Sequence, residues 1–305
     1  MYAIETQDLT RKFGERTVVD GLTLTIPKGT VFGFLGPNGA GKTTTVRMLA
    51  ALIAPTQGMA YVAGKRLGND DTAIRKLVGI LTETPGLYDS LSAWQNLVFF
   101  ARLYDVDKQL AESQAERYLR MLDLWERRDE TVSRFSKGMR QKLAIARALM
   151  HEPEIIFLDE PSAGLDPEAA RTVRDFIKDL RAEGRTIFLT THNLPEADEL
   201  CDLIGVFRGQ LLQLDTPNKL RTLSSGSGTS IRLRGDARRW VETAQALPCV
   251  QSVEAQNGTL SVILQNPEHD NPVLIRTLVD SGADICYVEP LAHSLENVYL
   301  ELMQD

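Results

Sequence analysis

The chain reads Gly36-Pro37-Asn38-Gly39-Ala40-Gly41-Lys42-Thr43-Thr44 directly after the apolar run 31–35 and at the start of a helical pattern over 41–52. This stretch fits the pattern GxxxxGK[ST] in the strand–loop–helix context that the pattern requires. Glycines let backbone N–H groups turn toward a bound anion, and the following helix adds partial positive charge at its N-terminus. The stretch therefore predicts a polyphosphate site, with Lys42 contacting the β- and γ-phosphates and the Thr43 hydroxyl binding Mg²⁺.

Two further apolar runs, 155–158 and 186–190, end in polar side chains. Asp159 and Glu160 follow the first run, and two adjacent carboxylates at a buried strand end are costly unless a cation compensates them. We expect Asp159 to hold Mg²⁺, directly or through water, and Glu160 to deprotonate the attacking water. His192 follows the second run and is expected to contact the γ-phosphate. The alternatives are a helix-start acid pair and an ordinary core or surface histidine.

Alternation of strands and helices predicts the fold class of the first 223 residues. The alternating positions Leu22, Leu24 and Ile26 predict a half-buried strand, and the short apolar runs predict buried strands. Helical patterns cover 137–150 and 168–183. We predict an α/β fold with a doubly wound parallel sheet and an added antiparallel layer.

A second domain is expected after a flexible linker. Residues 224–228 are Ser-Ser-Gly-Ser-Gly, so we place one domain at 1–223, the linker at 224–228 and an accessory domain at 229–305. In the accessory domain, Asn257-Gly258 predicts a hairpin turn. Its strands and helices are predicted in the order β-α-β-β-α-β of ferredoxin-like folds, with strands 230–234, 251–254, 259–264 and 285–288, helices 237–246 and 272–281, and a closing amphipathic helix from Ser294.

Composition and charge exclude several classes of protein. The chain has 305 residues, 43% hydrophobic and 25% charged, which is typical of folded soluble domains. No window approaches the roughly 18 to 20 apolar residues of a membrane span, and the N-terminus has no signal pattern. Three cysteines without CxxC spacing indicate neither a disulfide framework nor a zinc site. From Thr229 onward, five basic residues face eleven acidic ones, which disfavours nucleic-acid binding.

Residues 135–149, Phe-Ser-Lys-Gly-Met-Arg-Gln-Lys-Leu-Ala-Ile-Ala-Arg-Ala-Leu, resemble the signature of the ATP-binding cassette (ABC) family. That signature has the form LSGGQ followed by a basic, alanine-rich helix. Ser136 and Gly138 fall on its serine and second glycine, whereas Lys137 and Met139 depart from it. A serine and free N–H groups at a helix start still suit a phosphate.

The resemblance implies roles for further residues. It makes the loop 36–44 the ATP cradle, Phe13 the aromatic that stacks on adenine, Asp166 part of the D-loop Gly164-Leu165-Asp166, and His192 the switch histidine. It also places Glu83 where the family usually has a glutamine that touches Mg²⁺ and the attacking water. A carboxylate there can bind Mg²⁺ as well. Phe13 as a core residue and Glu83 as a solvated loop acid remain alternatives.

The resemblance also implies partners. Two cassettes of the family pair head to tail, so that the cradle of one and the signature of the other enclose each ATP. The chain therefore needs a second copy or a homologue, and an integral-membrane permease to drive, which places it on the cytoplasmic face of the membrane. Residues 86–104 have apolar side chains at helical spacing. In cassettes of the family, this region binds a cytoplasmic helix of the permease. Core packing is the alternative explanation for most of these apolar residues. The closing segment 294–302 is similar to that of daunorubicin-resistance-type and multidrug exporters.

Other functions remain as alternatives. A non-transport cassette acting on DNA or ribosomes predicts a coiled-coil insertion, a second cassette or a basic arm, and the sequence shows none. A small-metabolite kinase would leave the signature-like segment unexplained. A third alternative treats the accessory domain as a regulatory or ligand-sensing module.

Overall fold

The computed structural model describes residues 1–82, 84–223, 228–291 and 295–304. The chain divides into two compact units, Met1–Pro217 and Asn218–Asp305. The helix Pro217–Leu223 begins at this division. Of the predicted linker, only Gly228 lies within the described residues, and it begins a strand of the second unit. Glu83 and Ser294, both singled out from the sequence, lie outside the described residues.

The first unit contains ten strands and seven α-helices among its described residues. The strands are β1 Tyr2–Phe13, β2 Arg16–Pro27, β3 Val31–Leu35, β4 Gln57–Val62, β5 Lys65–Arg66, β6 Val78–Leu81, β7 Ile155–Asp159, β8 Thr186–Thr191, β9 Leu203–Phe207 and β10 Leu211–Asp215. The helices are α1 Lys42–Leu49, α2 Asp71–Leu77, α3 Ala93–Leu103, α4 Lys108–Met121, α5 Lys137–Leu149, α6 Pro167–Ala182 and α7 Leu194–Leu200.

Two sheets form the frame of the first unit. One is antiparallel, with the order β2-β1-β4-β5, and in it Leu22, Leu24 and Ile26 are buried as their alternation predicted. The other has the order β10-β9-β3-β8-β7-β6 and is parallel except for the β9–β10 pair. The predicted antiparallel layer beside a parallel core is therefore confirmed.

The central strands β3, β7 and β8 of the parallel sheet are buried throughout because helices and the antiparallel sheet cover them. All five residues of β3 and all five of β7 are inaccessible to solvent or nearly so. Phe32, Phe34 and Phe188 pack their rings against one another, with centroids 5.0 Å to 5.9 Å apart. Aromatic packing of this kind adds to the burial energy and fixes the register of neighbouring strands.

Two helix boundaries of the first unit differ from the sequence prediction. Helix α1 ends at Leu49, three residues early, since Ala51 adopts a left-handed conformation with φ 54° that a helix cannot continue through. Residues 86–92, included in the predicted helical spacing, precede α3. Ser92 forms a capping box there: its hydroxyl accepts from Gln95 N at 3.1 Å, and the Gln95 side chain accepts from Ser92 N at 2.9 Å.

The second unit contains the predicted elements in the predicted order. After α8 Pro217–Leu223, a helix that the sequence did not predict, they are β11 Gly228–Leu233, a 3₁₀ turn Ala237–Trp240 leading into α9 Val241–Gln245, β12 Val250–Gln256, β13 Thr259–Leu264, α10 Pro267–Asp280, β14 Ile285–Pro290 and α11 Leu295–Gln304. Helix α10 starts five residues before the prediction because Asn266 caps it and Pro267 occupies its first turn, where a missing N–H does no harm.

The sheet of the second unit is antiparallel throughout, in the order β12-β13-β11-β14. Asn257 and Gly258 join β12 to β13 with positive φ at both positions, as their hairpin prediction required. Ile231, Leu260 and Leu274 belong to its buried core. Within the described residues of both units, no helix is long and apolar enough to cross a membrane.

Candidate nucleotide-binding site

The strand order brings three sequence motifs to one edge of the parallel sheet. Strand β8 lies between β3 and β7, with Thr191 opposite Leu35 and Thr190 opposite Asp159. The loop after β3, the carboxylates at the end of β7 and His192 after β8 therefore meet at the carboxyl ends of adjacent strands. Ligands of open α/β sheets bind at this edge.

Two positions of the loop 36–44 require glycine because the backbone of other segments approaches them closely. A Cβ on Gly36 would collide with the carbonyl oxygen of Phe207, and one on Gly41 would lie 2.5 Å from the carbonyl oxygen of Val18. Gly41 also has φ 104°, which side chains rarely tolerate. It precedes α1, whose first-turn N–H groups have no intrahelical acceptor. The loop thus presents backbone donors at a helix N-terminus, as an anion cradle does.

Lys42 lies buried inside this loop, with 6% of the residue exposed. Its Nζ donates to the carbonyl oxygen of Gly36 at 2.6 Å and of Pro37 at 3.3 Å. The same Nζ is 3.6 Å from Oε1 of Glu160. The ammonium therefore joins the loop after β3 to the carboxylate at the end of β7.

The two carboxylates at the end of β7 are held in different ways. Asp159 is buried and accepts a hydrogen bond from the hydroxyl of Thr190. Glu160 has φ 51°, and its N–H donates to the carbonyl oxygen of Thr190 at 3.0 Å. A non-glycine residue in this conformation is strained and persists where the surroundings hold it. Thr190 thus positions both acids.

The side chain of Glu160 contacts two groups and leaves one oxygen available. Its Oε2 lies 2.9 Å from Nδ1 of His192. Its Oε1 is buried and has no hydrogen-bond partner, although the Lys42 ammonium is nearby. A buried carboxylate oxygen without a hydrogen bond is unfavourable unless a ligand supplies one.

These residues line a cavity of about 650 Å³, a size that suits a small-molecule ligand. The sequence predicted most of its lining: residues 37–44, Lys137, Asp159, Glu160 and His192. It did not single out Arg16, Val18, Gln141 and Ala163, which complete the lining. Gln141 lies one turn after Lys137 and donates to the carbonyl oxygen of Pro161 at 3.0 Å. That spacing was a usable signal, whereas nothing in the sequence connected Arg16 and Val18 to the loop.

Other predicted residues lie outside the cavity lining. Ser136 caps α5, its hydroxyl accepting from Met139 N at 3.2 Å, and the carboxylate of Asp166 caps α6 by accepting from Ala169 N at 2.9 Å. Both side chains are exposed. Gly138 is buried and its Cα faces Ala169. Phe13 is half exposed, with the Arg11 guanidinium 4.5 Å from its ring centroid.

Lys137 stands where the cassette signature has a glycine. It is exposed at the start of α5, and its Nζ lies against the Cα of Gly164, so that a Cβ at position 164 would collide with it. Gly164 has φ 66°. Lys137 thus extends from the start of α5 and places its ammonium beside the loop that follows β7.

The donor set at this edge fits Mg²⁺ held together with a phosphate group. Among the described residues no three His, Cys, Asp or Glu side chains form a metal cluster. Magnesium in phosphate sites needs only one or two protein oxygens beside waters and substrate phosphates. Asp159 and Thr43 at the cavity wall provide oxygens of this kind.

A mixed sheet with a phosphate loop after β3 and adjacent acids at the end of β7 defines a P-loop nucleoside triphosphatase fold. The ABC transporter family model matches residues 19–163. The chain belongs to the ATP-binding proteins of ABC transporters, a family of ATPases, as the signature-like segment predicted.

Similar proteins match between 72% and 99% of the chain. The Daunorubicin resistance ATP-binding protein DrrA3 of Streptomyces coeruleorubidus is 34% identical over 305 residues, 99% of this chain and 96% of that protein. A Fluoroquinolones export ATP-binding protein of Mycobacterium tuberculosis is 40% identical over 228 residues, 74% of each chain. A solved ATP-binding subunit of an ABC transporter superposes with a TM-score of 0.67 at 30% identity, covering 72% of this chain and 92% of that one.

Proposed function

We propose that the chain binds and hydrolyses Mg-ATP as the ATP-binding subunit of a drug exporter. The observation that carries this proposal is the meeting of Lys42, Glu160 and His192 at one cavity, with Glu160 between the other two. The similarity to proteins named for drug resistance and drug export over most of their length supports the transport role.

In this proposal the loop 36–44 binds the phosphates, with Lys42 as its cation. Thr43 and Asp159 hold Mg²⁺, which would neutralise phosphate charge, and Glu83 is a third candidate oxygen ligand. Phe13 contacts the base. Phosphoryl transfer needs positioning and charge stabilisation more than covalent chemistry from the protein. The fixed loop, the buried ammonium and the Thr190-held acids supply that positioning.

Glu160 acts as the general base. Its buried Oε1 has no hydrogen bond and lies at the cavity, where it can accept a proton from an attacking water. His192 contacts Oε2 and is more than half exposed, so its ring orients Glu160 and reaches the terminal phosphate. Asp159 is held in place by Thr190 and serves the metal instead.

A second copy of the chain completes the site. Ser136, Gly138 and Asp166 do not line the cavity of their own chain, and the side chains of Ser136 and Asp166 are exposed. These positions suit contact with the nucleotide of a partner, enclosed between a phosphate loop and a signature. We propose an ATP-sandwich homodimer in which each chain supplies half of each site.

A mixture of two inactive variants tests this arrangement. Lys42→Ala disables the cradle, and Ser136→Arg blocks the signature without touching the cradle of its own chain. Their heterodimer has one site with both defects and one with neither. If single sites hydrolyse ATP, an equal mixture should recover about a quarter of the wild-type rate. Phosphate release measured after mixing and exchange gives the result.

Two controls accompany the mixture. Both substitutions placed on one chain should give no recovery when mixed with either single variant. Ser113→Arg changes an exposed serine on α4 and should retain the wild-type rate. Hydrolysis by Ser136→Arg alone at the wild-type rate would exclude a signature that acts on a partner.

Helix α3 and the segment before it offer a face for a membrane permease. Tyr88, Phe99 and Phe100 form an aromatic group, and Tyr88 is half exposed. Arg147 of α5 donates to the carbonyl oxygen of Gly86 at 3.2 Å and lies over the Phe100 ring. Movement at this face is thereby linked to the helix that carries the signature. We place the chain on the cytoplasmic side of the membrane, bound to the permease.

The second unit is proposed to be a ferredoxin-like accessory domain. The element order β-α-β-β-α-β and the sheet order β12-β13-β11-β14 support this assignment. The proposed accessory domain is the part of this unit at 229–305, after a cassette at 1–223 and a linker at 224–228, while the compact units divide after Pro217. Its excess of acidic residues argues against nucleic acid as a partner.

Drug accumulation in cells tests the export role. Deleting the gene should raise the intracellular level of at least one compound in a panel of anthracyclines, fluoroquinolones and peptide antibiotics, because efflux stops. The wild-type chain should restore the low level, and the Glu160→Gln variant should not. Unchanged accumulation and sensitivity across the panel would contradict drug export.

A further inference from the structure

Glu196, in the first turn of α7, is a buried carboxylate outside the cavity lining. Only 3% of the residue is exposed. Its Oε1 accepts a hydrogen bond from the hydroxyl of Ser162, and its Oε2 accepts one from the hydroxyl of Thr191 at 2.8 Å. Its backbone N–H donates to the side chain of Asn193. Each carboxylate oxygen therefore has a separate hydroxyl donor from a separate segment of the chain.

This arrangement is unusual for a buried acid. In the described part of the chain the carboxylate oxygens of Glu196 bond to these two hydroxyls and to no basic side chain. A buried carboxylate without a cation is costly and is kept only where its hydrogen bonds are well made. Two hydroxyl donors on two segments make Glu196 a bridge between them.

The bridged segments are those that carry the reacting groups. Ser162 lies two residues after Glu160, in the loop that leads to α6. Thr191 is the last residue of β8 and directly precedes His192. Glu160 and His192 in turn approach each other to 2.9 Å. The hydroxyl bridge and the Glu160–His192 contact therefore join the same two segments at successive points.

We infer that Glu196 is a positioning residue for ATP hydrolysis: by bridging the hydroxyls of Ser162 and Thr191 it fixes the loop of Glu160 against the strand end of His192. The inference rests on the proposed function. Glu196 is expected to affect the rate of hydrolysis, whereas nucleotide binding depends on the loop 36–44. Small displacements of a catalytic group lower reaction rates strongly. Loss of the hydrogen bonds from Ser162 and Thr191 to Glu196 should therefore lower the rate of the chemical step.

The primary test compares Glu196→Ala with the exposed-site control Glu199→Ala. Glu196→Ala should lower kcat by roughly tenfold or more, with the Kd for ATP within about twofold of the wild type. Glu199→Ala removes a surface acid of the same helix and should leave both values unchanged. Steady-state phosphate release and calorimetry provide the two numbers. Wild-type kcat in folded Glu196→Ala would overturn the inference.

Conservative variants of the donors keep the test informative if Glu196→Ala does not fold. Thr191→Ser retains the hydroxyl and should keep most of the rate, whereas Thr191→Val has the same shape without the donor and should lower kcat. Ser162→Ala should lower it likewise. Equal rates for the serine and valine variants at position 191 would overturn the inference.

A double-mutant cycle with His192 separates positioning from general stability. If Glu196 acts through the Glu160–His192 pair, Glu196→Ala should change kcat by less than about twofold in a His192→Ala background. A purely structural role predicts the same loss in both backgrounds, and that result would contradict the inference. The wild-type and Glu160→Gln rates are measured alongside. Absence of wild-type hydrolysis refutes the proposed function, while normal hydrolysis with unaffected Glu196 variants refutes only this inference.

Discussion

Replacing Glu160 by glutamine should lower ATP hydrolysis by at least about a hundredfold while ATP binding persists. Glutamine has the shape of glutamate but cannot take up a proton from water. The backbone at this position stays held by the two oxygens of Thr190. Phosphate release measures the rate, and calorimetry with Mg-ATP measures the affinity. Because hydrolysis no longer reopens it, the ATP-bound dimer should also become visible by size-exclusion chromatography.

The matched control for this variant is Glu126→Gln, which changes an exposed acid in the same unit. It should hydrolyse ATP at the wild-type rate. If Glu160→Gln does the same, Glu160 is not the base, and the buried oxygen Oε1 has another role.

Replacing Lys42 by alanine should weaken ATP binding itself. The variant loses the charged hydrogen bond that the Lys42 ammonium would donate to a phosphate of ATP. Loss of one partner of such a buried bond costs about 2 kcal/mol or more, which raises the Kd for ATP roughly thirtyfold. Lys42 is the basic residue buried in the loop, and its Nζ already bonds to the carbonyl of Gly36. Calorimetric titration with Mg-ATP measures the loss, and hydrolysis should fall with it.

Lys65→Ala serves as the control, because Lys65 is an exposed lysine on β5. Lys42→Met adds a second comparison that keeps the apolar stem of the side chain packed. Both Lys42 variants should bind ATP weakly. Wild-type affinity in the two variants would exclude the loop 36–44 as the phosphate site.

Local sequence patterns predicted the elements that carry the site. The apolar runs before residue 36, before Asp159 and before His192 are all buried strands of the parallel sheet. Their polar ends could be found because a buried strand needs a continuous apolar run, and the next polar residue marks its end. Asn257-Gly258 was equally informative, since both positions of its turn require positive φ.

These local patterns could not predict the order of the strands in the parallel sheet. Placing β8 between β3 and β7 puts Thr190 against both acids and His192 against Glu160. Each of these contacts joins residues about thirty positions apart. The cavity residues Arg16 and Gln141 and the bridge at Glu196 depend on the same order. A single sequence shows which side chains end a strand but not which strands are neighbours.

Lys137 and Gly164 illustrate how two substitutions can depend on each other. The lysine ammonium occupies the space that a side chain at position 164 would need. Alanine at 164 would displace the end of a flexible lysine and would also meet a backbone at φ 66°. With glycine at position 137, as in the family signature, only the backbone strain would remain. Alanine at position 164 therefore has two different effects, one with lysine and one with glycine at position 137. A lineage that replaces Lys137 by glycine before it changes Gly164 meets only the milder effect.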